Sequence, residues 1–171
     1  MENLSPRLVV ITGGSKGIGR AVAYRFAQEK AKIVLAHYDA DDSDSQKTLK
    51  VLAGMGVEAE AHKIDVASFE NVDLFFREIF GKFERVDVLV NNAGITRDTL
   101  LMRMSEEDWD GVLNVNLKGV FNCTGSCASH DKGEGGTYCQ HILCGRANRK
   151  PGAGQLFCFQ GRSNRLNQDY S

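Results

Sequence analysis

The stretch RLVVITGGSKGIG, residues 7–19, constrains the fold more than any other part of the chain. An apolar run leads straight into three spaced glycines, Gly13, Gly17 and Gly19, and then into a helical pattern. Glycine lets a backbone turn sharply and lets other groups come close to it. The helix N-terminus beyond such a turn offers N–H groups and a partial positive charge, which suit a pyrophosphate. The segment is either the phosphate loop of a dinucleotide-binding βαβ unit or an ordinary tight turn. Its place at the head of a strand–helix series favours the first.

That series continues for about 100 residues. KIVLAH at 32–37, VEAEAHKID at 57–65 and VDVLVNN at 86–92 read as further strands. The runs at 7–12, 32–37 and 86–92 are nearly all apolar, as strands covered on both faces should be. The run at 57–65 alternates and suits a position near an edge. Residues 17–29, 43–53 and 68–83 read as helices between the strands. Such alternation means right-handed βαβ units and a parallel sheet, an α/β fold. Ser105 opens one more helix, with Glu106, Glu107 and Asp108 in its first turn.

Ligands of open α/β sheets bind at the C-terminal ends of the strands, so residues there are the candidates. His37 and Tyr38 end the second strand, with Asp39 next. An acidic group ending that strand would bind the 2′-hydroxyl of NAD, whereas Lys16 in the glycine loop could pair with a 2′-phosphate. Lys16 points to NADP(H) unless it is merely a solvated lysine. Asp65 ends the third strand and either accepts from an adenine amino group or caps the helix that follows. NNAG at 91–94 ends the fourth strand; it either passes flat beside a cofactor or is a generic Asn-rich turn. Asn116, in NVNLKG at 114–119, is either a core amide satisfied by backbone or a polar relay near a site.

With these motifs in hand, the chain resembles the short-chain dehydrogenase/reductase family over residues 1–124. The glycine loop, Asp65–Val66, NNAG and the Asn116 helix carry the likeness. Residues 91–122, NNAGITRDTLLMRMSEEDWDGVLNVNLKGVFN, resemble in particular the 3-oxoacyl-acyl-carrier-protein reductases of bacterial fatty-acid synthesis. The resemblance implies a Rossmann-type doubly wound parallel sheet, here truncated to about four strands. It implies NADP(H) held by Gly13, Gly14, Ser15, Lys16, Gly17, Ile18, Gly19, Tyr38, Asp65, Val66, Asn92, Ala93 and Gly94. Asn116 matches the family's active-site Asn. The implied substrate is a 3-ketoacyl thioester of acyl-carrier protein or coenzyme A, and intact relatives are homotetramers.

The family also needs a Ser on its fifth strand and a Tyr-x-x-x-Lys on the next helix. Tyr donates the proton to the developing alkoxide, Lys lowers its pKa, and Ser orients the carbonyl. After Asn122 only Tyr138 and Tyr170 occur; position 142 is Ile, and Ser171 is the last residue given. The catalytic trio is absent as written.

Residues 125–171 differ in kind from what precedes them. They hold four of the five cysteines, 8 of the 18 glycines, and no Val, Met or Trp. Little apolar surface is left to offset the entropy of ordering, so a largely disordered tail is expected, separate from a dinucleotide-binding core at 1–124. Read one base later, codons compatible with residues 137–145 permit R-I-V-N-I-S-S-V, the family's fifth strand with its Ser. From Gln155 the same offset permits N-Y-S-A-S-K-A-G-L-I-G-L-T-K-T-I, the Tyr-x-x-x-Lys helix. A shifted reading frame, broken between about Asn122 and Ser129, accounts for both. The missing Ser then falls across the codons of Leu143 and Cys144, the Tyr across Leu156 and Phe157, and the Lys across Gln160 and Gly161. Cys139, His141, Cys144 and Cys158 could in principle bind Zn²⁺, but their spacing fits no common zinc pattern, and no metal is expected.

Charge and hydropathy exclude other classes. Net charge is -1, which suggests neither a nucleic-acid nor a membrane partner. No leader pattern and no apolar run of about 20 residues appear, so a cytoplasmic chain is expected. A truncated sheet with one open edge is expected to aggregate and not to assemble normally.

Overall fold

A computed structural model of the chain describes residues 7–131 and the strand at 138–141. The elements alternate as the hydropathy pattern predicts. Strands β1 (Leu8–Thr12), β2 (Lys32–His37), β3 (Ala59–Lys63) and β4 (Val88–Asn91) are separated by helices α1 (Gly17–Gln28), α2 (Ser43–Gly54) and α3 (Phe69–Lys82). Helices α4 (Glu106–Leu113) and α5 (Gly119–His130) follow, joined by a π-helical turn at Asn114–Lys118. Ser68 and Ser105 cap α3 and α4, their hydroxyls accepting from the N–H groups of Asn71 and Asp108.

With β5 (Tyr138–His141), the sheet is parallel throughout, in the order β3-β2-β1-β4-β5. Strand order reverses between β1 and β4, and the crevice beyond their C-terminal ends is the ligand site of such sheets. All five residues of β1 are buried, because both faces are covered. Leu8 and Val10 pack with Phe75, Phe76 and Ile79 of α3 and with Cys123 and Cys127 of α5. Val9 and Ile11 face the other way, onto Ala23 and Ala27 of α1 and Leu52 of α2. Burying Phe76 or Ile79 completely stabilises the fold by roughly 2–3 kcal/mol each.

The four expected strands form, and β3 is the half-buried one. Two findings go beyond expectation. Helix α5 runs past residue 124 to His130 and keeps Ser126 and Cys127 buried. A fifth strand, β5 (Tyr138–His141), pairs with β4 in the register Val88↔Tyr138 to Asn91↔His141. Composition misses both features because neither needs a strong apolar pattern. The helix extends an existing packed face, and a strand pairs through its backbone whatever its side chains. The remaining positions of 125–171, including Cys144, Cys158 and the shifted-frame Tyr and Lys positions, lie outside the described residues. Among the described residues no helix is long and apolar enough to cross a membrane.

Candidate functional site

A cleft of about 350 Å³ opens at the C-terminal ends of β1, β2, β3 and β4. That lies within the roughly 300–1,000 Å³ usual for small-molecule pockets. Its wall includes Gly13, Ser15, Lys16, Tyr38, Asp65, Val66, Asn92, Ala93 and Gly94, all singled out from sequence. Ala36, His37, Asp39, Ile64, Ile95 and Val115 complete it. Gly14, Gly17, Ile18, Gly19 and Asn116, also candidates from sequence, are not among the residues that line it.

The glycine loop is held from three sides. Gly13 sits at φ +64°, and its N–H donates to Ala36 C=O at 2.7 Å, anchoring the turn on β2. Gly14 lies against Leu35, where an added Cβ would come within 2.7 Å of Leu35 Cδ2. Ser15 C=O accepts from Arg20 Nε (2.9 Å), Arg20 guanidinium NH2 (2.7 Å) and Thr48 Oγ1 (2.8 Å), tying the loop to α1 and α2. Gly17 opens α1 at φ +57° with nothing within 4 Å of where a Cβ would stand. Unlike α3 and α4, α1 receives no side-chain cap and has no acidic residue in its first turn. Its N-terminal N–H groups are therefore open to an anion.

Thr12 and Asn92 join the loop to β4. Thr12 Oγ1 accepts from the N–H groups of Asn92 and Ala93, both at 3.0 Å, and donates to Val90 C=O at 3.4 Å. Asn92 Nδ2 donates to Thr12 C=O and Gly13 C=O, each at 3.0 Å. NNAG thus pins neighbouring strands while its own backbone forms the cleft wall. Thr12 was not among the candidates, although a lone hydroxyl ending an apolar strand is the signal that could have found it.

The third-strand corner is also held. Asp65 Oδ1 accepts from Ala67 N–H at 2.9 Å, making a local turn, while the cap of α3 is Ser68. Asn122, buried on α5, donates to Val66 C=O (2.9 Å) and Ala67 C=O (3.3 Å) and so fixes the Asp65–Val66 corner from behind. The Asn116 side chain pairs with the Ile95 backbone: Oδ1 accepts its N–H at 2.8 Å, and Nδ2 donates to its C=O at 3.0 Å. The half-buried Asn116 amide is thus satisfied by the Ile95 backbone. It lies in the π-helical turn, a distortion that often marks functional sites.

Charge gathers at the second-strand corner. Lys16 Nζ lies 2.5 Å from Asp39 Oδ1, and the Ser15 hydroxyl donates to Asp39 Oδ2. Burial pushes the Asp39 carboxyl up, but the bonds from Lys16 and Ser15 outweigh it and hold the group below the usual carboxylate range. The same bond, opposed by partial burial, raises the Lys16 ammonium above its ordinary value.

Fold order, glycine turn and crevice together define an α/β protein of the Rossmann type. The chain belongs to the short chain dehydrogenase family, whose model matches residues 7–138. It is 43% identical over 121 residues to the 3-oxoacyl-[acyl-carrier-protein] reductase FabG of Thermotoga maritima, covering 71% of this chain and 48% of that protein. It is 43% identical over 124 residues to the 3-oxoacyl-[acyl-carrier-protein] reductase of Synechocystis, covering 72% and 50%. Among solved structures, an alcohol dehydrogenase from the archaeon Thermococcus sibiricus, complexed with 5-hydroxy-NADP, superposes with a TM-score of 0.73 at 31% identity. That match covers 80% of this chain and 57% of the other. The chain spans about half the length of the 3-oxoacyl reductases it matches.

Proposed function

We propose that the described residues are the NADP(H)-binding half of a 3-oxoacyl-acyl-carrier-protein reductase, and that the chain as given binds the cofactor without reducing a thioester. The observation that carries the reading is the open N-terminus of α1 beside an uncrowded Gly17, with the loop locked by Asn92, Thr12 and Ser15. These residues fit a pyrophosphate, since a bulkier residue at 17 would be strained and would narrow the approach. Lys16 stands where it can meet a 2′-phosphate, Asp65 where it can meet an adenine amino group, and Gly94 and Ile95 line the deeper end of the cleft. Bound there, the dinucleotide would supply a hydride. Asn116 keeps the loop after β4 and the π-helical turn in one position, which is a positioning role.

No Tyr-x-x-x-Lys, which would hold the proton donor and its partner, occurs in the sequence as given. Codons compatible with residues 137–145 and with those from Gln155, read one base later, permit it and the family's Ser at the expected spacing. Strand β5 stands where a frame read one base later would permit I-V-N-I, which supports the same reading. The acyl carrier is proposed from the relatives' names. A coenzyme A thioester is the second possibility, since the residues that contact a carrier fall beyond the described part.

The test compares two proteins. The gene read one base later after Thr124 should yield a chain that oxidises NADPH when given an acetoacetyl thioester. The chain as given should leave the thioester untouched. A restored chain that folds cooperatively yet oxidises no NADPH would overturn the reductase reading.

A further inference from the structure

We infer that Thr48, on helix α2, is a positioning residue of the phosphate loop. With Arg20 it fixes the Ser15 carbonyl, and so aims the Lys16 N–H at the anion that the cleft receives. The inference rests on the dinucleotide reading above and concerns how the phosphates are held.

Three donor contacts meet on one carbonyl. Thr48 Oγ1 donates to Ser15 C=O at 2.8 Å, and Arg20 closes a fork on the same oxygen through Nε at 2.9 Å and NH2 at 2.7 Å. Ser15 is 2% exposed and Thr48 0%, so water does not compete for that oxygen. A hydroxyl has one hydrogen to give. Its other acceptor within reach, Asp44 C=O at 3.0 Å, lies one turn back on α2, where the helix's own ladder supplies an N–H. The bond to Ser15, 33 residues away, instead joins α2 to the loop. Arg20 NH2 also reaches Asp44 Oδ1 at 3.2 Å, so α2 orients the guanidinium as well.

The clamp also sets what faces the ligand. Across a trans peptide bond the N–H points opposite to the preceding C=O, and none of the described peptide bonds is cis. With the Ser15 C=O drawn toward α1 and α2, the Lys16 N–H faces the other way, on the side where Ser15 and Lys16 wall the cleft. Among the described residues no hydrogen bond engages this N–H. It adds to the uncapped N–H groups that open α1, and successive N–H groups of this kind form a concave seat for an anion. Rotating the Ser15–Lys16 peptide would turn a carbonyl oxygen toward the phosphate instead. Thr48 and Arg20 hold it against that rotation.

The experiment titrates NADPH into the full chain and follows the Lys16 amide resonance by NMR, at a temperature where melts show each variant folded. In wild type NADPH should shift that resonance. Thr48→Val keeps the shape and removes the hydroxyl. It should weaken NADPH about tenfold, the effect of one hydrogen bond to a charged group, and reduce the Lys16 shift at saturation. Thr48→Ser retains the hydroxyl and should bind as wild type does. Arg20→Lys keeps the charge but loses the fork, and should act in the same direction as Thr48→Val. A folded Thr48→Val, or Arg20→Lys in its place if Thr48→Val does not fold, that binds NADPH and shifts Lys16 as wild type does would overturn the inference while the dinucleotide site stands. So would a Thr48→Ser as weak as Thr48→Val. If the folded wild type takes up no NADPH, the site reading falls and takes this inference with it.

Discussion

Gly19→Ala is the sharpest perturbation of the loop. A Cβ at Gly19 would stand 2.2 Å from Gly13 C=O and 2.6 Å from Asn92 Nδ2. Ordinary contact begins near 3.4 Å, so roughly 1 Å of movement must be found. Neither neighbour yields easily. Gly13 is anchored by its N–H on Ala36 at 2.7 Å, and Asn92 Nδ2 is committed to two carbonyls at 3.0 Å. Overpacking costs about 1–3 kcal/mol, and a broken Asn92 bond adds roughly 1 kcal/mol, for a total of about 3 kcal/mol. For a domain of this size that lowers Tm by about 10 °C. Two controls separate crowding from glycine entropy. Gly17→Ala meets no atom but is strained at φ +57°, and should cost about 1 kcal/mol. Gly111→Ala, in α4 with nothing within 4 Å, should stabilise by up to about 1 kcal/mol. Urea melts followed by circular dichroism give all three values. If Gly19→Ala lies within about 1 kcal/mol of wild type, helix α1 does not cross Gly13 as described, and the reasoning fails.

Thr12→Val leaves the N–H groups of Asn92 and Ala93 without their acceptor; a loss of about 3 kcal/mol is expected in the same melts. Asn122→Ala should cost about 2 kcal/mol by releasing the Val66 and Ala67 carbonyls, with no change of net charge to confuse the result. Asp73 is held below the usual carboxylate range by its bond from His130 above all, against some burial, with Ser126 and Arg77 assisting. A depressed carboxylate contributes stability above its unfolded pKa, near 3.9, and that contribution disappears as pH falls through the lower folded value. The stability gap between wild type and Asp73→Asn should therefore shrink from pH 5 to pH 3; a gap constant over that range would contradict it. Leu117 and Phe121, 63% and 72% exposed, lie one turn apart on the last long helical stretch among the described residues. Changing both to Lys should reduce light scattering at high concentration without lowering Tm.

The legible parts of the site were those in which local chemistry and position coincide. Glycines after an apolar strand, and NNAG after another, announce themselves because strand ends and turns are read over a few residues. Thr12 escaped notice because its three partners are 78 to 81 residues away, and a hydroxyl in a strand looks like ordinary β propensity. Asn122 escaped for the same reason: its partners are 55 and 56 residues back in sequence. Lys16 was read by itself, whereas the structure joins it to Asp39 across 23 residues, which changes what it offers a ligand. The sequence puts Asn116 in the helix that Ser105 opens; the structure has it in a π-helical turn, which leaves no mark in hydropathy. Strand β5 escaped because its pairing with β4 runs along the backbone.

The crevice between β1 and β4 receives a dinucleotide if the proposed function holds. Calorimetric titration of NADPH into the chain as given tests that most directly. One site per chain is predicted, weakened at least tenfold in Gly19→Ala under conditions where that variant is still folded. A cooperatively folded chain that takes up no NADPH, or binding unchanged by Gly19→Ala, would contradict it.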